Sequence, residues 1–172
     1  MRSPTTILLT LACTLTACGG DGVGPVDSGV PPEKFGKDLT ADEEEKICLA
    51  SAENLAGQTS VAELKNFSCV LFGLTFAALG DNTPEACESA AQMCRDGAGE
   101  AGNDDDGGAD MCTLDLSACD APVVDIEACL TERNEAFGKA VREASCDDAG
   151  KMATEATDGP ACSKIKATCP GV

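Results

Sequence analysis

Apolar residues are gathered into blocks along this 172-residue chain, and glycine, proline and acidic residues separate them. The first block runs from Ile7 to Leu15, and the stretch after it, Gly19 to Asp38, holds almost nothing to bury. Such Gly/Pro/Asp composition predicts a flexible tether, and about 20 residues of it would hold a domain roughly 25 Å from its attachment point. Order is expected from Leu39. Thr40-Ala41-Asp42-Glu43 has capping-box spacing, with acids in the first turn where the helix dipole favours them. Ile47, Cys48, Ala52 and Leu55 fall near one face of that helix, and Gly57 is a stop. A second capping box, Ser60-Val61-Ala62-Glu63, opens the longest apolar run of the domain, Phe67 to Leu79, which ends at Gly80. A helix apolar on all sides is ordinarily buried, so this run is expected to be the central core helix. The alternative is an apolar groove-filler or a docking surface. Its thirteen residues, Phe67 to Leu79, are too few for a membrane span.

Thr83-Pro84-Glu85 predicts a third helix, with Thr as N-cap and Pro at the first helical position, running through Cys87, Ala90, Ala91 and Cys94 to Arg95. Gly97 to Asp110 carries no large side chain and predicts a surface loop. The segment from Cys112 to Cys119 fits no single element. A fourth helix is expected from Asp125, through Ile126, Cys129, Leu130, Phe137 and Val141, with Gly138 weakening its middle. Pro160 opens a last helical piece that carries Cys162 and reaches towards Cys169. No stretch alternates with period two, so strands are not expected.

The N-terminal block has a single basic residue, Arg2, ahead of its short apolar run, the layout of a secretory signal. Its length is about half the ~20 residues a bilayer span needs. It ends in Leu15-Thr16-Ala17-Cys18-Gly19, which resembles the bacterial lipobox. The resemblance implies that residues 1–17 are removed and that Cys18 carries the lipid anchor, with 18–38 the lipidated cysteine and tether and 39–172 the domain. Gly19, rather than Asp, after that cysteine implies the outer membrane over the inner one. The expected location is therefore the cell envelope, where disulfides form and persist.

Charge sharpens this picture. Loss of Arg2 with the signal leaves 11 basic against 30 acidic residues, a net charge of −19. Such a field repels nucleic acid, whose affinity for proteins depends on Lys and Arg, and it repels anionic lipid. The membrane contact is thus expected through the lipid on Cys18, with no nucleic-acid partner. The chain has no His, Trp or Tyr. That removes the commonest general base and metal ligand, any Ser-His or Cys-His nucleophile, and the usual aromatic anchors of interfaces. Thirty acids offer many carboxylate pairs, but no spacing selects two of them for hydrolysis. An enzyme is not expected.

Setting aside Cys13 and Cys18, ten cysteines remain: Cys48, Cys69, Cys87, Cys94, Cys112, Cys119, Cys129, Cys146, Cys162 and Cys169. An even number in an exported chain predicts five disulfides. Cys87/Cys94, Cys112/Cys119 and Cys162/Cys169 are each seven apart. Helical residues at that spacing share a face but lie roughly 10 Å apart, too far for one bond. Where these pairs are helical, each cysteine must therefore staple its helix to a different segment. No Cys-x-x-Cys occurs, so redox, zinc-ribbon and haem-attachment chemistry lack their signature.

Ile47-Cys48 after the acidic helix start, Thr83-Pro84-Glu85-Ala86-Cys87, the run from Cys119 to Cys129 and Pro160-Ala161-Cys162 together resemble the uncharacterised cysteine-rich lipoproteins abundant in myxobacteria. The resemblance spans Leu39 to Cys169. It departs in the acidic loop and in Cys94 and Cys112, which look like an extra pair flanking that loop. It implies no activity. Within the loop, Asn103, Asp104, Asp105, Asp106 and Asp110 are oxygen donors of the kind calcium takes. EF-hand spacing fails, because aligning Gly107 with the invariant glycine puts Gly102 first and Thr113 twelfth. The expectation is an all-α, small helical bundle stapled by about five disulfides behind a disordered N-terminal tether. Its expected role is that of a membrane-anchored envelope lipoprotein, a structural or protein-interaction module with an envelope protein as partner. The alternative is calcium or small-ligand binding through residues 103–110, with no other cofactor.

Overall fold

The computed structural model describes residues 23–97, 114–151 and 158–169. Among them are five α-helices: α1 (Ala41–Gln58), α2 (Val61–Ala78), α3 (Pro84–Gly97), α4 (Val123–Glu143) and α5 (Pro160–Ile165). Single 3-10 turns occur at Gly36–Asp38 and Cys146–Asp148. No strand occurs among the described residues, where the β-type pairing is one isolated bridge between Phe35 and Pro122. The fold is all-α.

Local chemistry sets the helix starts. At α1 the Glu43 carboxylate accepts from the Thr40 backbone N–H and hydroxyl, at 2.8 and 3.0 Å. At α2 the box closes in both directions. Glu63 accepts from the Ser60 N–H at 2.7 Å, and the Ser60 hydroxyl accepts from the Glu63 N–H at 3.2 Å. Thr83 accepts from the Ala86 N–H at 3.2 Å, and Pro160 opens α5. α4 begins at Val123, two residues before the expected start, and its N-cap is Pro122, which has no capping side chain.

What caps α4 corrects the expectation of a tether. Residues 18–22 lie outside the described residues, but from Val23 to Asp38 the chain is a strap laid on α1 and α4. The Lys34 and Pro32 carbonyls accept from the Val123 and Val124 N–H groups, at 2.8 and 3.1 Å, satisfying amides that a helix N-terminus leaves unpaired. The Val26 N–H donates to Thr131 Oγ1 at 2.9 Å, and Ser28 donates twice to Glu127 Oε1. Val26 and Val30 are buried in the main core. Glycine and proline here shape a fixed path, held by two buried valines together with these hydrogen bonds.

The strap is also pinned by charge. Lys34 Nζ lies 2.6 Å from Glu43 Oε2. That bond, with the Thr40 backbone N–H behind it, holds the Glu43 carboxyl down at about 2, from an ordinary 4.5. A carboxyl depressed in the folded state adds stability above its unfolded value and loses it as pH falls through its folded one. The melting-temperature gap between the parent and Glu43→Gln is therefore expected to be widest above pH 4.5 and to close by about pH 2. A gap independent of pH would show that the carboxylate's charge is not what matters.

Two cores result. The larger joins the strap, α1, α4, α5 and the segment 114–121 around Ile47, Leu116, Val123, Ile126 and Ile165. At its edge the Asn134 amide donates to Ser51 O and to Asn54 Oδ1, both at 2.9 Å, and Asn54 donates to Gly24 O at 2.6 Å. This chain of amides ties α4 to α1 and α1 to the strap. Asn134→Ala leaves the Asn54 oxygen without its donor, and the urea midpoint is expected to report a loss of about 1–3 kcal/mol. The smaller core lies between α2, α3 and the turn at Cys146, and its buried side chains are Ala77, Cys87, Ala91 and Cys146.

Four disulfides lie within the described residues: Cys69–Cys94, Cys87–Cys146, Cys119–Cys169 and Cys129–Cys162. Cys48 is disulfide-bonded as well. No pair seven apart is bonded to itself, and Cys87 and Cys94 staple α3 to two different segments. The expected pairing of Cys94 with Cys112 does not form. Cys69 is fully buried where α2 lies antiparallel to α3, its Cα 5.4 Å from that of Cys94, and it takes that bond instead.

Candidate functional site

Several sequence-predicted site residues fall outside the described residues: the lipidation candidate Cys18, the calcium candidates Asn103, Asp104, Asp105, Asp106 and Asp110, and Cys112. Among the described residues no three His, Cys, Asp or Glu side chains are grouped as a metal site would need. The depression between α4 and the start of α5 is lined in part by Glu132, Phe137, Asp158 and Cys162. Both carboxylates there are already used: Glu132 accepts from the Cys162 N–H at 2.9 Å, in the first turn of α5, and Asp158 pairs with Lys166.

The feature that stands out is α2. Its sequence reads as a core helix, and the structure corrects this. Cys69, Val70, Gly73 and Ala77 are its buried residues, with Cys69 and Gly73 against α3 and Ala77 in the core shared with the Cys146 turn. Phe67 turns inward at one edge and meets Phe137 of α4 edge-on, with ring centroids 5.7 Å apart. The opposite face is open. Val61 is 84% exposed, Phe72 50%, Phe76 53% and Leu79 86%. Leu64 and Leu71 are exposed on the same face. At 100° per residue, Val61, Leu64, Ser68, Leu71, Phe72, Thr75, Phe76 and Leu79 fall on the half of the helix turned away from α3. Phe72 and Phe76 stack on each other with centroids 6.3 Å apart.

The reason lies in α3. Cys87, Ala90 and Ala91 are its buried residues, a narrow face of small side chains that covers one side of a neighbour and no more. Close approach is what these residues permit. A Cβ on Gly73 would run into the Cys87 carbonyl oxygen and come within 3.1 Å of the Ala91 Cβ. The two helices thus meet almost backbone to backbone, and the large side chains of α2 are left outside. α2 has 18 residues and is long and apolar enough by composition to cross a membrane, which the thirteen-residue apolar run did not suggest. It is bonded to α3 through Cys69–Cys94, and α3 carries Glu85, Glu88, Arg95 and Asp96. A helix so joined cannot enter a bilayer core without taking those charges with it.

The outward face of α2 is an apolar row about 27 Å long, held to α3 by the Cys69–Cys94 bond. Uncovered apolar rows of this kind mark interaction sites on folded proteins. The sequence held the signal in the small residues of α3, which could never have covered a helix apolar all round. No protein-family model, no curated protein and no solved structure matches the chain.

Proposed function

We propose that this protein is a lipid-anchored envelope lipoprotein whose folded domain is a non-catalytic interaction module, working through the outward face of α2. The observation that carries this reading is the row Leu71, Phe72, Phe76 and Leu79, left in solvent by a domain otherwise well enough built to bury Ile47 and Ile126 completely. The lipobox-like Leu15-Thr16-Ala17-Cys18 supports the anchor, and the disulfides fit an oxidising compartment outside the cytoplasm. The lack of histidine supports a binding role over a catalytic one.

The test is mass spectrometry of the N-terminal peptide from membrane-extracted protein, beside the fractionation of Cys18→Ala. The reading requires a mature chain beginning at Cys18 with the mass of a diacylglyceryl group and acyl chain, and loss of that species in the variant. An unmodified Cys18 thiol in protein recovered from the envelope would overturn the anchor.

A further inference from the structure

We infer that the outward face of α2 rests on the headgroup and upper acyl region of the membrane that holds the Cys18 anchor. This depends on the anchoring proposed above and names what the α2 face meets. Cys18 and Val23 are five residues apart, so even a fully extended chain places them no more than about 18 Å from each other. The strap removes the long tether that would have let the domain stand away from the bilayer.

Where the strap begins decides which face is brought down. A Cβ on Gly57 would strike the Val23 side chain, so Val23 lies against the end of α1. Four residues beyond Gly57 is Val61, the first member of the outward row of α2. The lipid therefore arrives beside the junction of α1 and α2, and the row extends from there to Leu79. Val61 and Leu79, at its two ends, lie on the same side of the helix, so a helix laid along a surface brings both to it.

Charge points the same way. The chain carries 30 acidic residues, yet between Glu63 and Asp81 the sole charged side chain is that of Lys65. An acidic domain can approach a bilayer through a face from which acids have been withdrawn, whereas a second mature copy, at −19, brings its own like charge. Binding of a helix laid in a membrane interface follows the apolar area it buries there. Here the opposite face is not in water but bonded to α3, which fixes the orientation of the whole domain.

Hydroxyl-radical footprinting tests this, comparing the mature lipoprotein on phosphatidylcholine vesicles with an unlipidated chain beginning at Gly19 in solution. Every core contact described above is made from Val23 onward, so the shorter chain keeps the fold. On vesicles, oxidation of Phe72 and Phe76 is expected to fall at least about fivefold, because the rings leave water for the interface. Phe35, 42% exposed on the strap, serves as the reference and is expected to keep its rate. Equal oxidation of Phe72 and Phe76 in the two samples overturns the placement while leaving the anchor standing. Protection already present in the unlipidated chain, with a dimer mass in sedimentation, overturns it in favour of a second copy. Protein that fails to float with the vesicles overturns the anchor, and the placement with it.

Discussion

Replacing Cys87 and Cys146 together by alanine is expected to cost about 4 kcal/mol, the chain-entropy value for a loop of 59 residues. The effect is large because of where the bond lies. The smaller core has Ala77, Cys87, Ala91 and Cys146 as its buried side chains, so this disulfide supplies half of them. Little apolar area is there to hold α3 and the Cys146 turn together once the bond is gone. Cys129–Cys162 closes a loop of 33 residues inside the larger core, where Ile126, Leu130 and Ile165 remain, and its removal is expected to be milder. Urea unfolding of the two double variants gives the order directly. A loss below about 1 kcal/mol for the Cys87/Cys146 pair would mean that this disulfide contributes far less than its loop length implies.

The second large effect concerns a substitution that helix propensity alone would recommend. Gly73→Ala should favour an isolated helix by about 0.8–1.0 kcal/mol. In this fold it is expected to destabilise by about 1–3 kcal/mol, as overpacked cores do. The added methyl meets the Cys87 backbone carbonyl, and beyond it Cys87 Sγ at 3.0 Å and the Ala91 Cβ at 3.1 Å. None of these can swing aside. α3 is bonded at Cys94 to α2 and at Cys87 to the Cys146 turn, so the helices can separate only by straining the Cys69–Cys94 staple, with α3 further held by the turn. Gly80→Ala is the control. Its Cβ would meet nothing nearer than the Ala77 carbonyl at 3.9 Å, and no loss is expected in a thermal melt. A Gly73→Ala protein as stable as the parent would mean that α2 and α3 are not packed this closely.

Signals that act within a few residues were legible in the sequence. Thr40 with Glu43, Ser60 with Glu63, Thr83 ahead of Pro84, and Pro160 mark helix starts through contacts made inside one turn. For Cys87 and Cys94, which both lie on α3, the rule that helical cysteines seven apart bond to different segments also held, because it follows from helix rise. What escaped depends on partners far away in the chain. The strap looks like a linker because its stabilising groups, Glu127, Thr131 and the Val123 and Val124 amides, lie about a hundred residues on. Cys94 was read with Cys112 across a loop, whereas α2 offers Cys69 across a helix contact. The face of α2 was misjudged for a related reason. Apolar residues on every side suggest burial, but burial needs neighbours large enough to provide it, and α3 has only cysteine and alanine there.

The central claim is that Phe72 and Phe76 lie on the outside of a domain whose stability does not depend on them. The most direct measurement is the thermal and urea unfolding of the Phe72→Ser, Phe76→Ser double variant. Phe72 is 50% exposed and Phe76 53%, so the pair is expected to cost less than about 2 kcal/mol in total, with helical content unchanged. Two phenylalanines removed from a core would cost about 3–5 kcal/mol each. A combined loss above about 6 kcal/mol, or a chain that no longer folds, would contradict the account and return α2 to the core.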